Sequence, residues 1–123
     1  MSIKEVKHYS SDTLTLQEDI PGVAMWAVSL DKVMLTYFEV QPHKCFEAHS
    51  HASEQITMVL EGELFFETDW KVYTVGKNEV IAISSNVVHS VFTREEPVKA
   101  VDAWAPVMNK YREQKLVREA NSS

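Results

Sequence analysis

Two histidines lie two residues apart in the stretch HSHASEQ, at His49 and His51, and a glutamine follows at Gln55. Alternate residues of a β-strand face the same side of a sheet, so a His-x-His pair on a strand directs both imidazoles to one side. Imidazole nitrogens and carboxamide oxygens are both ligands for divalent metals. The spacing therefore predicts three donors of a metal site.

A third imidazole is available at His89, after a turn predicted at residues 84–86. In a closed barrel, two hairpins that are distant in sequence can meet across the interior. We therefore predict one divalent metal ion bound by His49, His51, Gln55 and His89. The alternative is a group of exposed loop histidines without a metal. Three imidazoles and a neutral amide do not select one metal, so nickel, iron, manganese and zinc are all candidates.

Strand parity places an acid on the inner face of the last predicted strand, residues 98–104. Lys99 is expected to face water, which turns Asp102 and Trp104 toward the interior. Asp102 is a candidate for proton transfer; the alternative is that it caps a turn at the edge of the barrel. Trp104 is a candidate wall for a substrate ring; the alternative is that it fills the barrel.

The elements that position these residues are short apolar runs separated by Gly, Pro, Asp and Asn turns, which predict an all-β chain. The predicted strands cover residues 23–30, 33–40, 54–61, 63–68, 71–75, 79–83, 88–93 and 98–104. Their even spacing is typical of a small barrel or jelly roll. We expect a single domain over residues 1–123, with the barrel at about 23–104. The charged stretch after Pro106 predicts a short C-terminal helix and a frayed tail over about residues 107–123.

Both faces of the strand predicted at residues 54–61 are suited to burial. A small barrel buries only the inner face of each strand. The outer row of Ile56, Met58 and Leu60, together with Phe65 or Phe66, therefore predicts a second layer or a partner subunit. We expect a homodimer.

The composition excludes several classes of protein. The chain has 123 residues, is 45% hydrophobic and carries a net charge of -6, which does not suit a phosphate backbone, so we expect no nucleic-acid partner. No apolar segment approaches the ~20 residues of a membrane helix, and the first residues lack the apolar core of a secretory signal, so we expect no membrane partner. The single cysteine, Cys45, excludes an internal disulfide and is expected to be a buried filler. These features predict a cytoplasmic protein.

The histidine spacing resembles the first motif of the cupin superfamily, in which two histidines, a spacer, a glutamate, six residues and a glycine follow one another. The corresponding residues of this chain are His49, Ser50, His51, Gln55 and Gly62. Glutamine thus stands in the usual glutamate position, while Glu54 is one residue out of phase and is expected to face outward. The stretch that contains Gly76, IAISSNVV and His89 resembles the second cupin motif but lacks the proline of that motif. The likeness covers roughly residues 30–104 and implies a double-stranded β-helix, or jelly-roll, barrel.

The chain also resembles the pectin-degradation cupins, which convert unsaturated monouronates into open-chain keto sugars. Those proteins carry HSH, Glu-Gln, VLEGEL and Asp-x-Phe-Ser-Pro-Pro-Arg, and the matching stretches here are HSHASEQ, VLEGEL and DAWAPVM. The resemblance implies a metal-dependent enzyme that opens the ring of a small anionic sugar, with Asp102 moving the proton and Trp104 lining the ring. Met108 stands where the family has arginine, and a thioether cannot pair with a carboxylate. Lys110 is a candidate replacement two residues away.

Two other functions fit the same residues. An iron-dependent dioxygenase of a small molecule would use the same histidines. A non-catalytic metal- or sugar-binding sensor would bind its ligand without turnover, and the missing arginine is the feature most compatible with it. The fold does not decide among the three functions.

Overall fold

The structure, a computed structural model, describes residues 6–113. These residues form ten β-strands and two short helical segments. The strands are β1 (Gln17–Ile20), β2 (Val23–Ser29), β3 (Met34–Val40), β4 (Cys45–His49), β5 (Glu54–Glu61), β6 (Leu64–Thr68), β7 (Lys71–Val75), β8 (Val80–Ile83), β9 (His89–Phe92) and β10 (Val98–Ala105). A 3-10 turn spans Ser11–Thr13, and the helix α1 spans Asn109–Glu113.

The strands form two antiparallel sheets. The first has six strands in the order β1-β2-β3-β10-β5-β8, and the second has four in the order β4-β9-β6-β7. Their inner faces share one apolar core, whose most buried members include Met25, Met34, Val59, Phe66 and Val98. The structure thus confirms the predicted all-β jelly-roll barrel with a short helix near its C-terminal end.

All eight strands predicted from the sequence are present, and each end lies within one residue of its predicted position. The pattern does not predict β1 and β4. Both lie at an edge of a sheet and bury few side chains, so their sequences carry little apolar alternation. Cys45 begins β4 and is exposed, so the prediction that it fills the core is wrong.

The central strand of the larger sheet is β10, which pairs with β3 on one side and β5 on the other. Its side chains alternate as predicted, with Asp102 and Trp104 each 5% exposed. The register places Asp102 directly between Thr36 of β3 and Thr57 of β5, both of which are fully buried. A polar group is therefore built into the middle of an otherwise apolar inner face.

The outer face of the same sheet carries two apolar rows that cross five strands in register. One row contains Val28, Leu35, Ala103, Ile56 and Ala82, and the other contains Trp26, Tyr37, Val101, Met58 and Val80. We call these ten residues the outer apolar face. Ile56 and Val80 are each 52% exposed, so nothing within residues 6–113 covers them.

Two phenylalanines assigned to this face from the sequence belong elsewhere. Phe66 is 1% exposed and lies in the core. Phe65 lies in the other sheet, where its ring stacks on Phe92 and carries the Arg94 guanidinium 4.2 Å from its centroid. The prediction that either residue extends the outer row is therefore wrong.

The helix predicted after Pro106 is present as α1. Tyr111 of α1 is buried and packs its ring against Phe38 and Trp104. The tail predicted for residues 114–123 lies outside the described residues. None of the helices in the described part of the chain is long and apolar enough to cross a membrane.

The turn between β5 and β6 requires glycine at position 62. Gly62 has a φ of +81°, and a Cβ added there would collide with the Pro97 carbonyl oxygen. We expect Gly62→Ala to lower the free energy of unfolding by ~2 kcal/mol or more, measured by urea denaturation. At Gly76 an added Cβ would meet only the flexible Glu79 carboxylate, at 3.3 Å, so Gly76→Ala is the matched control. Equal losses in the two variants would contradict the explanation.

Candidate metal centre

Each of the three predicted histidine ligands is oriented by a hydrogen bond from its ring to the backbone. The Nδ1–H groups of His49, His51 and His89 donate to carbonyl oxygens two residues away. The acceptors are the carbonyls of Glu47, Ser53 and Val87, at 2.8, 2.8 and 2.9 Å. A carbonyl only accepts hydrogen bonds, so Nδ1 carries the proton and Nε2 of each neutral ring carries a lone pair. This is the ring form that metal-binding histidines adopt.

The three rings converge. One ring nitrogen from each of His49, His51 and His89 lies within 4.8 Å of the other two. His89 is 2% exposed, and its Nε2 is buried without a hydrogen-bond partner. Burial lowers the pKa of His89, and the neighbouring histidines act in the same direction, although the bond to Val87 opposes them. A buried, neutral imidazole with a free lone pair is what a metal site requires.

Gln55 brings an oxygen to the same point. Its Oε1 lies 3.1 Å from Nε2 of His51, while its Nε2–H donates to Thr57 Oγ1 at 2.9 Å. The Gln55 amide oxygen and the His51 ring nitrogen would both offer a lone pair to a cation placed beside them. The four residues predicted as metal ligands are therefore brought together, and the donor set fits a divalent ion. Glu54, as expected, is exposed.

The route by which the rings meet differs from the sequence expectation. His49 is the last residue of β4, but His51 lies in the following loop, so the two are not on one strand. The loop is held by the Asn86 N–H, which donates to the His51 carbonyl at 2.8 Å. His89 begins β9 and pairs with His49 in the sheet register, which brings their ring centroids to 4.5 Å.

Asp102 lies beside this cluster in a buried network. The Trp104 indole N–H donates to Thr36 Oγ1 at 2.8 Å, and the Thr36 hydroxyl donates to Asp102 Oδ2 at 3.2 Å. The Thr57 hydroxyl donates to Asp102 Oδ1, which also lies 3.5 Å from Gln55 Nε2. Burial raises the pKa of Asp102 to about 6, although these three hydrogen bonds oppose the rise. The carboxyl is therefore mainly ionised at neutral pH.

The cluster opens onto a cavity between the two sheets. Its wall includes His49, Gln55, His89, Asp102 and Trp104, and the remaining wall is apolar. The apolar wall residues include Phe38, Phe46, Leu64, Phe66, Val91 and Tyr111. Both candidate catalytic residues thus line the same cavity as three of the candidate ligands.

No lysine or arginine of the described chain lines this cavity. Met108, in the family's arginine position, is half-buried and packs against the core. Lys110 is exposed, with Nζ lying 5.4 Å from the centroid of the Tyr111 ring. Lys110 therefore does not replace the missing guanidinium in the cavity.

Sequence reasoning missed three residues of the site. Thr36 and Thr57 hold Asp102, and Tyr111 closes one side of the cavity. Thr36 left a signal, because it is the one polar residue at the inward positions of β3. Thr57 lies between Gln55 and Val59 on the inward face of β5 and stands out less. Tyr111 left none, since its place depends on how the chain turns after Pro106.

The fold and the histidine cluster define the class of protein. The family model described as the cupin domain matches residues 36–104, which is more than half of the chain, so the chain belongs to the cupin family. No curated protein matches it.

Solved structures show the same fold. KdgF from Halomonas sp. superposes with a TM-score of 0.77 at 16% sequence identity, covering 85% of this chain and 98% of that one. An RmlC-like cupin from Shewanella frigidimarina gives 0.78 at 14% identity, covering 89% and 99%. The polyketide cyclase RemF from Streptomyces resistomycificus gives 0.71 at 21% identity, covering 84% and 81%. At these identities the likeness extends to the fold alone.

The histidine geometry predicts stoichiometric metal binding. We expect one divalent ion per chain, and we expect His89→Ala to weaken metal binding by ~10-fold or more, because it removes the buried, unpartnered Nε2. Isothermal titration and elemental analysis measure both quantities. His8→Ala, at an exposed histidine, is the matched control. Equal metal affinity in the two variants would contradict the assignment.

Proposed function

We propose that this chain is a metal-dependent enzyme that acts on a small molecule in the cavity between its sheets. The observation that carries the proposal is the convergence of one ring nitrogen from each of three histidines, whose rings are oriented by Nδ1–H bonds to the backbone. A divalent ion held by His49, His51, Gln55 and His89 would supply Lewis acidity toward a substrate oxygen. Nickel, iron, manganese and zinc all fit this donor set.

Within this class we propose the ring opening of a 4,5-unsaturated uronate to a keto-deoxyuronate. The matches HSHASEQ, VLEGEL and DAWAPVM to the pectin-degradation cupins support this substrate. The reaction is an isomerisation: the C1–O5 bond breaks, the anomeric hydroxyl loses a proton as C1 becomes a carbonyl, and C4 gains a proton as C5 becomes a ketone.

Asp102 is the residue we assign to this proton transfer. It is the only carboxyl group among the described residues that line the cavity. Burial raises its pKa to about 6, which is close to neutral pH. A group whose pKa lies near the working pH is best suited to proton transfer. We assign Trp104 to the wall of the sugar site, because its indole N–H is engaged by Thr36 and its position is therefore fixed. The apolar side chains around the cavity would exclude water.

The apolar wall favours a second candidate. A uronate carboxylate would find no lysine or arginine in the described cavity wall, and its charge would be balanced by the metal alone. A largely apolar substrate would suit the same wall better. An iron-dependent dioxygenase of such a molecule uses the same imidazoles and is therefore the alternative.

The test is incubation of the metal-loaded protein with 4,5-unsaturated galacturonate, followed by proton NMR, with and without oxygen. We expect the vinyl signal at C4 to disappear in both arms. We expect Asp102→Ala to slow this loss by ~10²-fold or more. Glu54→Gln removes an exposed acid beside Gln55 and is the control that keeps the wild-type rate.

Substrate that stays unchanged in both arms would overturn the ring-opening proposal. Consumption only in the presence of oxygen would indicate a dioxygenase instead. Saturable binding of the uronate without turnover would indicate a sensor module.

We further propose that the chain forms one cupin domain and works as a cytoplasmic homodimer. The outer apolar face supports the dimer, because ten apolar side chains in two rows lie on the side of the sheet opposite to the cavity. The next row along the strands contains Glu39, Lys99 and Glu61, with a Lys99–Glu61 pair at 3.6 Å, and would form a polar rim. Two copies related by a twofold axis would bury their faces against each other and leave both cavities open.

The dimer has its own test. We expect light scattering coupled to gel filtration to give the mass of two chains, and Ile56→Lys to give a monomer, since it places a charge in the middle of the outer apolar face. Val72→Lys is the control, because Val72 is 43% exposed but lies in the smaller sheet. A wild-type monomer, or a dimer that survives Ile56→Lys, would contradict this interface.

A further inference from the structure

Two chains of hydrogen bonds end on the carboxylate of Asp102, and the direction of both is fixed. The Trp104 indole N–H can only donate, so the Thr36 hydroxyl accepts from it and gives its own proton to Oδ2. The Gln55 amide N–H can only donate, so the Thr57 hydroxyl accepts from it and gives its proton to Oδ1. A carboxyl group that only accepts hydrogen bonds is in its ionised form.

The amide of Gln55 lies between Asp102 and His51. Its nitrogen is held by the Thr57 hydroxyl at 2.9 Å and lies 3.5 Å from Asp102 Oδ1. Its oxygen must therefore point the other way, toward His51, where it lies 3.1 Å from Nε2. The amide thus spans the space between the buried carboxylate and the imidazole cluster.

As metal ligands, three imidazoles and an amide add no charge to the ion. Asp102 is the one acidic side chain among the described residues around the cavity, and it stands directly behind Gln55. A neutral donor set leaves the full double charge of a divalent ion uncompensated inside a mostly apolar cavity, which is unfavourable. A buried carboxylate close behind one ligand compensates part of that charge.

We infer that Asp102 is the electrostatic partner of the metal centre and that it orients Gln55. Residue 55 must then be neutral, because Asp102 already carries the negative charge. This inference deepens the proposed function and rests on its metal centre. Asp102 acts here as a positioning residue, through the Gln55 amide. A glutamate at position 55 would place a second carboxylate where the amide nitrogen now donates, within a few ångströms of Asp102, and the two buried anions would repel each other.

The charge on Asp102 explains why this chain departs from the cupin motif at position 55. Glutamine stands at position 55, where the motif has glutamate. The register of β10 with β5 places Trp104 opposite Gln55 and Asp102 opposite Thr57, so the side chain at 55 has Asp102 as a neighbour on its own face. The pair formed by residues 55 and 102 therefore carries a single negative charge, and that charge is on residue 102.

The test is a double-mutant cycle with Gln55→Glu, Asp102→Asn and the variant that carries both changes. The first readout is the urea midpoint of the metal-free protein at pH 8, where carboxyl groups are ionised. We expect Gln55→Glu to lower the midpoint and the double variant to recover most of the loss. The second readout is the dissociation constant for nickel or zinc. We expect Asp102→Asn to weaken binding ~10- to 100-fold and the double variant, which again carries one negative charge, to recover it.

The control is Glu54→Gln, which removes the same charge from an exposed neighbouring position and is expected to leave both readouts unchanged. Additive effects in the cycle, or an Asp102→Asn variant with wild-type metal affinity, would overturn the inference. A wild-type chain that binds no metal would overturn the proposed function instead. In that case the urea midpoints still decide whether the charges at positions 55 and 102 are coupled.

Discussion

The arrangement of the site depends on the hydrogen bonds from three histidine Nδ1–H groups to backbone carbonyls. Each bond fixes the tautomer of its ring, and each acceptor lies two residues from its histidine, so ring orientation is set by the local path of the chain. The chain path is set in turn by the pairing of β4 with β9, which makes His49 and His89 register partners. The sheet register and the backbone acceptors thus determine how the three rings are oriented, and the ring nitrogens that meet are the ones offered to a metal.

The second constraint is the burial of polar groups in a barrel core. Thr36, Thr57 and Asp102 lie in one row across three strands and are almost fully buried. Such groups are unfavourable in an apolar interior unless they bond to one another. Here each has a partner, and the network reaches Trp104 on one side and Gln55 on the other. The core of the barrel and the chemistry of the cavity are therefore built from the same residues.

Most of the barrel was predictable from the sequence, because strands that bury one face carry an alternating pattern. The same alternation placed Asp102 and Trp104 inward and Glu54 outward. The edge strands β1 and β4 were not predictable, since an edge strand buries too little to need that pattern. The spacing predicted that four side chains would meet, namely those of His49, His51, Gln55 and His89. The expectation that His49 and His51 share one strand was wrong, because His51 lies in a loop whose path depends on a distant bond from Asn86. The threonines around Asp102 required the register of three strands, which no single segment of the chain specifies.

The wall of the cavity has two origins. The barrel provides the imidazoles and the buried acid, whereas Tyr111 comes from the five-residue helix α1 that follows the last strand. That helix lies outside the sheets and takes no part in their hydrogen-bonded ladders, so substitutions in residues 107–113 can change the volume offered to a ligand without breaking a sheet hydrogen bond. Divergence of specificity among relatives that share this scaffold is therefore expected to concentrate in the segment after the final strand, and exchanging that segment is a direct route to engineering new selectivity.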